Sequence, residues 1–459
     1  MSLLRKKSIQ DILDNAEKST LKKTLGAFDL IMIGIGCTIG TGIFVVTGIA
    51  AATYAGPAIA ISYFLASVVC IFAGLAYAEL ASMVPVSGSA YTYTYVVLGE
   101  FVAWLVGWGL VLEYAIGAST VASGWSGYMV GILKTGGIIV PSYLANSPAN
   151  GGIINLPAVL ISLFIGVLLF RGTKESVNLN RILVAVKLSV IFFFLVVAAP
   201  MIKTENWSDF APFGISGIFM GAATVFYAYI GFDAVATAAE ECKNPKKDLP
   251  IGIIFSAVIC AVLYVIVSLV LTGIVKYDTL NNAEPLAKAL RDNGSNIGSA
   301  LVATGAIAGI TSVLLILVYG QSRIFFVMAR DGLIPKSFSK LHKKFGTPHF
   351  SIAFVSVAVA LISGFFPLKT LSHMTSLGTL CSFIVVALGV LILRITEPNL
   401  PRNFKCPAVY VTVPLAIISC GYLVYSLLLE NGIYFLFWSI FGLVLYFGYG
   451  YRNSPLGKK

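Results

Sequence analysis

The strongest constraint on this chain is a succession of long apolar runs. A helix needs about 20 apolar residues to span ~30 Å of hydrocarbon. Twelve stretches qualify, near residues 27–53, 57–82, 98–131, 153–170, 181–201, 214–239, 249–275, 297–328, 350–366, 371–394, 408–428 and 432–451. Uninterrupted runs such as 182–199 are unlike the alternating segments of about ten residues that build an outer-membrane barrel. The expected fold is an all-α polytopic membrane protein with about twelve transmembrane helices.

Composition enters as a check. Hydrophobic residues make up 58% of the chain and charged residues 11%, against roughly 25% charged in a soluble domain. So little charge cannot cover a water-facing surface, which excludes soluble enzymes, nucleic-acid binders and disordered scaffolds. The net charge of +11 reports topology instead. With the N-terminus placed in the cytoplasm, 24 of the 31 basic residues fall on the cytoplasmic side. Six lie outside (Lys134, Lys203, Lys276, Lys288, Arg291 and Lys369), and Lys187 sits inside a span. That asymmetry is the positive-inside pattern. Both termini are expected to be cytoplasmic.

Residues 1–26 carry Arg5, Lys6, Lys7, Lys18, Lys22 and Lys23, and the run that follows is too long for the h-region of a signal peptide. They read as a cytoplasmic tail with room for a surface helix. The seven cysteines are scattered with no C-x-x-C pair, so neither a metal site nor a disulfide framework is expected. His342, His349 and His373 lie in loops or near span ends, which disfavours a histidine proton relay.

Two spans are not uniformly apolar, and unpaired backbone groups in lipid cost several kcal/mol each. The first contains four glycines between Gly34 and Gly42, each weakening a helix by about 1 kcal/mol relative to alanine. No strand precedes this stretch, so the partial match to a dinucleotide fingerprint is discounted; a small-residue packing face is the plain alternative. The sixth contains Phe226-Tyr-Ala-Tyr-Ile-Gly-Phe-Asp233. Gly40 and Gly231 stand 191 residues apart, each in the first of five spans. Paired broken helices in corresponding halves point to a transporter binding site near the midplane. The amides of Thr41, Gly42 and Ile43 open a new helix and can wrap a carboxylate. Carbonyls near Phe226, Tyr227, Ala228 and Ile230 can accept from an ammonium. Together they suit a zwitterion such as an α-amino acid.

Charges inside spans are costly and often functional. Lys187 is either a snorkelling side chain or a group that exchanges a proton, or a fixed cation standing where a related transporter holds sodium. Glu113, midway along the third span, is either a hydrogen-bonded structural carboxyl or a contact for substrate or proton. Asp233 reads as a cap on the second half of the sixth span, and Glu79 ends the second. The segment 83–93 could re-enter the cytoplasmic side or simply connect. Gly127-x-x-x-Gly131 marks packing.

These residues resemble bacterial amino acid permeases of the amino acid–polyamine–organocation superfamily, close to bacterial homologues of the cationic amino acid transporters. The resemblance spans nearly the whole chain. It is carried by Gly26-Ala-Phe-Asp29, Gly34-Ile-Gly36, Ile39-Gly-Thr-Gly-Ile-Phe44, Pro85-Val-Ser-Gly-Ser-Ala-Tyr91, Phe226 to Asp233, Ser322-Arg323 and Arg330-Asp-Gly-Leu-Ile-Pro335. It implies a LeuT-like 5+5 inverted repeat plus two C-terminal helices. The tail would be 1–26, repeat one about 27–201, repeat two about 214–394, the extra helices about 408–451, and 452–459 a second tail. It further implies amino acid uptake by alternating access, driven by protons and not sodium, with no cofactor. Lys187 would bridge to the unwound first span near Thr38 and Gly40 and couple protons, and Glu113 matches the third-span glutamate. The stretch Leu314-Leu-Ile-Leu-Val-Tyr319 is bulky and uncharged, which leans toward neutral aliphatic substrates. Glu113 keeps a cationic amino acid transporter or an amino acid/polyamine exchanger open. A channel would show polar rings along a pore, and a membrane-embedded enzyme would need clustered nucleophile and base; the spans offer neither.

Overall fold

The structure is a computed structural model, and it describes residues 5–6, 23–84, 89–171 and 177–457. The proposed surface helix of the N-terminal tail and residues 85–88 of the 83–93 segment therefore lie outside the described residues. Residues 89–93 of that segment belong to a helix, Ser89–Val97.

Among the described residues the backbone is helical, with one isolated pairing of extended backbone, between Leu25 and Cys242. This is what lipid demands, since a helix satisfies its own amides and carbonyls. Eight helical runs are long and apolar enough to cross a membrane: Gly42–Met83, Glu100–Thr135, Arg181–Met201, Gly214–Ala236, Pro245–Ile274, Asn296–Arg330, Leu368–Thr396 and Val409–Asn453. Three shorter apolar helices accompany them, Ala27–Thr38, Leu156–Phe170 and His349–Phe365. We name α1 (Ala27–Thr38), α2 (Ile59–Met83), α3 (Ser89–Val97), α4 (Glu100–Thr135), α5 (Leu156–Phe170), α6 (Val177–Ala198), α7 (Gly214–Val225), α8 (Pro245–Ile274), α9 (Pro285–Asp292), α10 (Asn296–Arg330), α11 (His349–Phe365), α12 (Leu368–Thr396) and α13 (Val409–Leu445).

The segmentation departs from the twelve expected runs in two places. Residues 42–83 form one helical run, jointed at Gly56, whose φ of +59° is a conformation only glycine adopts readily. Residues 409–445 are hydrogen-bonded as one helix, where two spans were expected. The contacts of α13 nevertheless show a reversal. Its start follows Cys406, whose amide donates to Glu79 at 2.7 Å. At its middle, Glu430 accepts from Tyr54 at 2.7 Å and Asn431 meets His373 at 2.8 Å. Tyr446 and Ser454 then return to Glu100.

Two polar clusters mark the two ends of the molecule. At one end Glu79, 1% exposed, takes both nitrogens of Arg394 at 2.9 Å, Arg402 at 3.2 Å and the Cys406 amide. At the other, Glu430 gathers Tyr54 and, at 3.1 Å, Lys369, while fully buried His373 lies between Thr224 and Asn431. Close helix contact between the ends depends on small residues. A Cβ at Gly378 of α12 would meet the Gly109 carbonyl of α4 at 2.9 Å. Gly127 and Gly131 also serve packing, against Ala283 and Glu284 ahead of α9.

Candidate functional site

The helix α1 stops at Thr38 because Ile39 turns extended (φ −77°, ψ 104°). Helical structure resumes at Gly42 as π turns. Phe44 N bonds the Gly40 carbonyl at 3.3 Å, so the amides of Thr41, Gly42 and Ile43 are the ones left without intrahelical acceptors. The carbonyl end of α1 is equally unsatisfied within the helix, and side chains from two other elements supply donors. Lys187 Nζ of α6 donates to Gly36 O at 2.6 Å, and Tyr264 OH of α8 to Thr38 O at 3.0 Å. A cation is favourably placed there against the negative end of a helix.

The sixth segment breaks in a different way. After α7 the chain tightens into a 3₁₀ turn, Phe226–Tyr229, extends at Ile230 (φ −64°, ψ 133°) and turns at Gly231 with φ +122°. It continues as a 3₁₀ helix, Phe232–Glu241, and not as the α-helix expected to residue 239. Carbonyls at the end of the first turn lack the amides a continued α-helix would bring. The two breaks touch: a Cβ at Gly42 would collide with Ala228, and one at Gly231 would meet the Cys37 carbonyl carbon at 2.8 Å.

A small cavity lies at this junction. Its first wall is Cys37, Thr38, Gly40, Thr41 and Gly42, and its second Tyr227 and Ile230. The third consists of Glu113, Gly117 and Val121 from α4, with Val313 and Leu317 from α10 and Thr375 from α12. Its volume is about 20 Å³, close to the ~10–15 Å³ that one water requires. Among the described residues, Thr38 Oγ1, Thr41 Oγ1, Glu113 Oε2 and, beside the sixth break, Asp233 Oδ1 are buried without a hydrogen-bond partner. Such atoms are costly unless something else satisfies them.

Thr38, Gly40, Thr41, Gly42, Tyr227, Ile230 and Glu113 thus share one cavity. Ile43, Phe226 and Ala228 do not line it; Phe226 packs edge-on against Phe383, with ring centroids 6.2 Å apart. Lys187 is 1% exposed, so it does not snorkel. It donates to Gly36 in the last turn of α1, two residues before Thr38, because that last turn is where carbonyls lose their amide partners. Sequence reasoning missed Cys37, Gly117, Val121, Val313, Thr375 and the donor Tyr264; each is a single unexceptional residue in an apolar helix.

Among the described residues no cluster of His, Cys, Asp and Glu is arranged to hold a metal ion. The family model described as amino acid permease matches residues 25–449. The chain is 46% identical to the branched-chain amino acid permease BcaP of Bacillus subtilis (strain 168), over 100% of this chain and 99% of that protein. It is 44% identical, over the full length of both, to the methylthioribose transporter of the same organism. With the vacuolar cationic amino acid transporter 4 of Arabidopsis thaliana it shares 39% identity over 87% of this chain and 68% of that protein. The chain belongs to the amino acid permease family of the amino acid–polyamine–organocation superfamily, and it is a membrane permease and not an enzyme.

Proposed function

We propose that this protein is a secondary active carrier of neutral aliphatic amino acids, branched-chain ones first, importing them with protons by alternating access. The observation that carries this reading is the small cavity where the two broken helices meet. The positive helix end at Thr41, Gly42 and Ile43 suits the substrate carboxylate, and carbonyls of the Phe226–Ile230 turn suit the ammonium. Val121, Val313 and Leu317 form an apolar wall for the side chain. A cavity this small takes an amino acid only if its walls part, which is the motion alternating access requires.

The reading counts twelve spans in a 5+5 repeat plus two. The 42–83 run contributes the second half of one crossing and a whole second crossing, and the 409–453 run contributes two. Repeat one runs about 27–201, repeat two about 214–394, and the basic end carrying Lys246 and Arg394 faces the cytoplasm. Lys187 is the proton-coupling residue, releasing and regaining Gly36 O as the first helix moves.

Methylthioribose is a second substrate reading. It rests on the full-length relative of that name and on the unpartnered Thr38 Oγ1, Thr41 Oγ1 and Glu113 Oε2, which could serve a polyol. Cationic amino acids are less favoured, because among the described residues no carboxylate besides Glu113 lines the cavity and its side-chain wall is apolar. Counterflow in proteoliposomes separates these. Loading with unlabelled leucine, arginine or methylthioribose and measuring trans-stimulated uptake of label should rank leucine first. No trans-stimulation by any amino acid would overturn the carrier assignment, and stimulation by methylthioribose alone would replace the substrate.

A further inference from the structure

A second, larger cavity of about 540 Å³ opens at the Glu79 end, between the start of α8 and residues 403–404. Lys246, Lys247 and Asn403 supply its polar lining, Ile251 and Phe255 of α8 an apolar floor, and Phe404 lines it from the segment before α13. We propose that this cleft is a binding site for an anionic phospholipid, with its phosphate on Lys246 and Lys247 and one acyl chain along α8.

Both ammonium groups are available. Lys246 and Lys247 are exposed, and among the described residues neither has a carboxylate within ion-pairing distance. The nearby arginines differ, since Arg394 and Arg402 are both committed to Glu79. Asp248 shares the first turn of α8 but turns toward Cys242, whose Sγ lies 3.9 Å from its carboxylate, and it does not line the cleft.

The opposite wall is preformed. The Arg402 guanidinium donates to the carbonyls of Leu393, Glu397, Pro398 and Leu400, folding the strap around itself. Ser82 Oγ then accepts the Phe404 amide at 3.3 Å. An occupant does not have to order this wall, which lowers the cost of binding.

The floor identifies the phosphate as a lipid's. It runs directly onto Phe255 (54% exposed), Val258 (39%), Val262 (56%) and Ile266 (41%). Steps of three and four residues put these on one helical face. A basic rim above an unbroken apolar stripe matches a headgroup and its chain, and basic pockets between spans on the cytoplasmic side favour anionic lipid.

The test is native mass spectrometry of the purified full-length protein in nanodiscs or detergent, titrated with phosphatidylglycerol, phosphatidylcholine or inorganic phosphate. Phosphatidylglycerol should stay bound and phosphatidylcholine should not. Lys246→Gln/Lys247→Gln should weaken phosphatidylglycerol about thirtyfold, at about fivefold per lysine. Lys246→Arg/Lys247→Arg, which preserves charge, should retain it, so a misfolded Gln pair does not decide the matter. Ile251→Trp should fill the floor and weaken binding with both lysines intact. Equal retention of phosphatidylcholine, displacement by inorganic phosphate, or undiminished phosphatidylglycerol binding in the Gln pair would each overturn the site.

Discussion

The two helix breaks look alike in sequence, glycine amid apolar residues, but they are held open by different means. At the first, Ile39 and Thr41 keep conformations open to any residue, Ile39 extended and Thr41 right-handed helical. A Cβ on Gly40 would meet the Val313 side chain first, at 3.1 Å. What keeps this break open is donated from elsewhere, by Lys187 to Gly36 O and by Tyr264 to Thr38 O. At the sixth, the backbone itself carries the break. Gly231 sits at φ +122°, with its Cα facing the Cys37 carbonyl. The first break is therefore adjustable through its partners, whereas the sixth is fixed by one residue.

That contrast is most exposed at Gly231. Gly231→Ala places a Cβ in a region essentially reserved for glycine, costing about 1–3 kcal/mol, and drives it into the backbone of α1. We expect the largest loss of any single change here, in both thermal stability and counterflow. A folded, active Gly231→Ala protein would show that the sixth break does not depend on its glycine.

Gly42→Val comes next. Its side chain would collide with Ala228, prising the breaks apart at the point where the carboxylate is proposed to sit. Affinity in an amino acid thermal-shift screen should fall by at least about a hundredfold, nearly 3 kcal/mol, while the protein remains monodisperse. Retained affinity would move the substrate away from the amides of Thr41, Gly42 and Ile43.

How legible each break was follows from the same contrast. Gly40 and Gly231 were exposed because a run of glycines, and a glycine among polar tips, stand out in a span that lipid requires to be apolar. The charge of Lys187 stood out for the same reason. Tyr264 and Thr375 did not, since one hydroxyl in an apolar helix is as often satisfied by its own helix. Val121 and Val313 could not be chosen from dozens of aliphatic neighbours, because membership of a cavity wall is a long-range property; Leu317 was reached only as part of the stretch 314–319. The turn within α13 was visible only as a dip between two apolar runs, and hydrogen bonding carries straight through it.

Lys187→Ala tests the donated half of the comparison. It leaves Gly36 O without its donor, a cost of about 1–3 kcal/mol, partly offset because a buried charge also disappears. Accumulation driven by a pH gradient should vanish while counterflow, which needs no net proton movement, persists at a reduced rate. Accumulation in the wild type that follows sodium and ignores an uncoupler would remove the proton role altogether. Tyr264→Phe should act in the same direction but more weakly. It loses one hydrogen bond to Thr38 O, about 1 kcal/mol, read as a roughly fivefold fall in substrate affinity with pH-driven coupling retained.

The smallest expected effect is the most discriminating. Gly40→Ala asks whether the first break needs its glycine at all. The backbone of its neighbours is unstrained, and the obstacle is the Val313 Cγ2 at 3.1 Å, the end of a side chain that can shift by a few tenths of an ångström. Alanine also favours helix by about 1 kcal/mol over glycine, which would extend α1 toward Gly42 were Lys187 and Tyr264 not bonded to its last carbonyls. Stability and counterflow within about twofold of the wild type, or 0.4 kcal/mol, are expected. The double variant with Tyr264→Phe should then lose more than the two single changes together, since the alanine is tolerated only while the donors hold the break open. Additive losses, or a single Gly40→Ala defect as large as that of Gly231→Ala, would mean that both breaks are fixed by glycine and that the partners of the first merely decorate it.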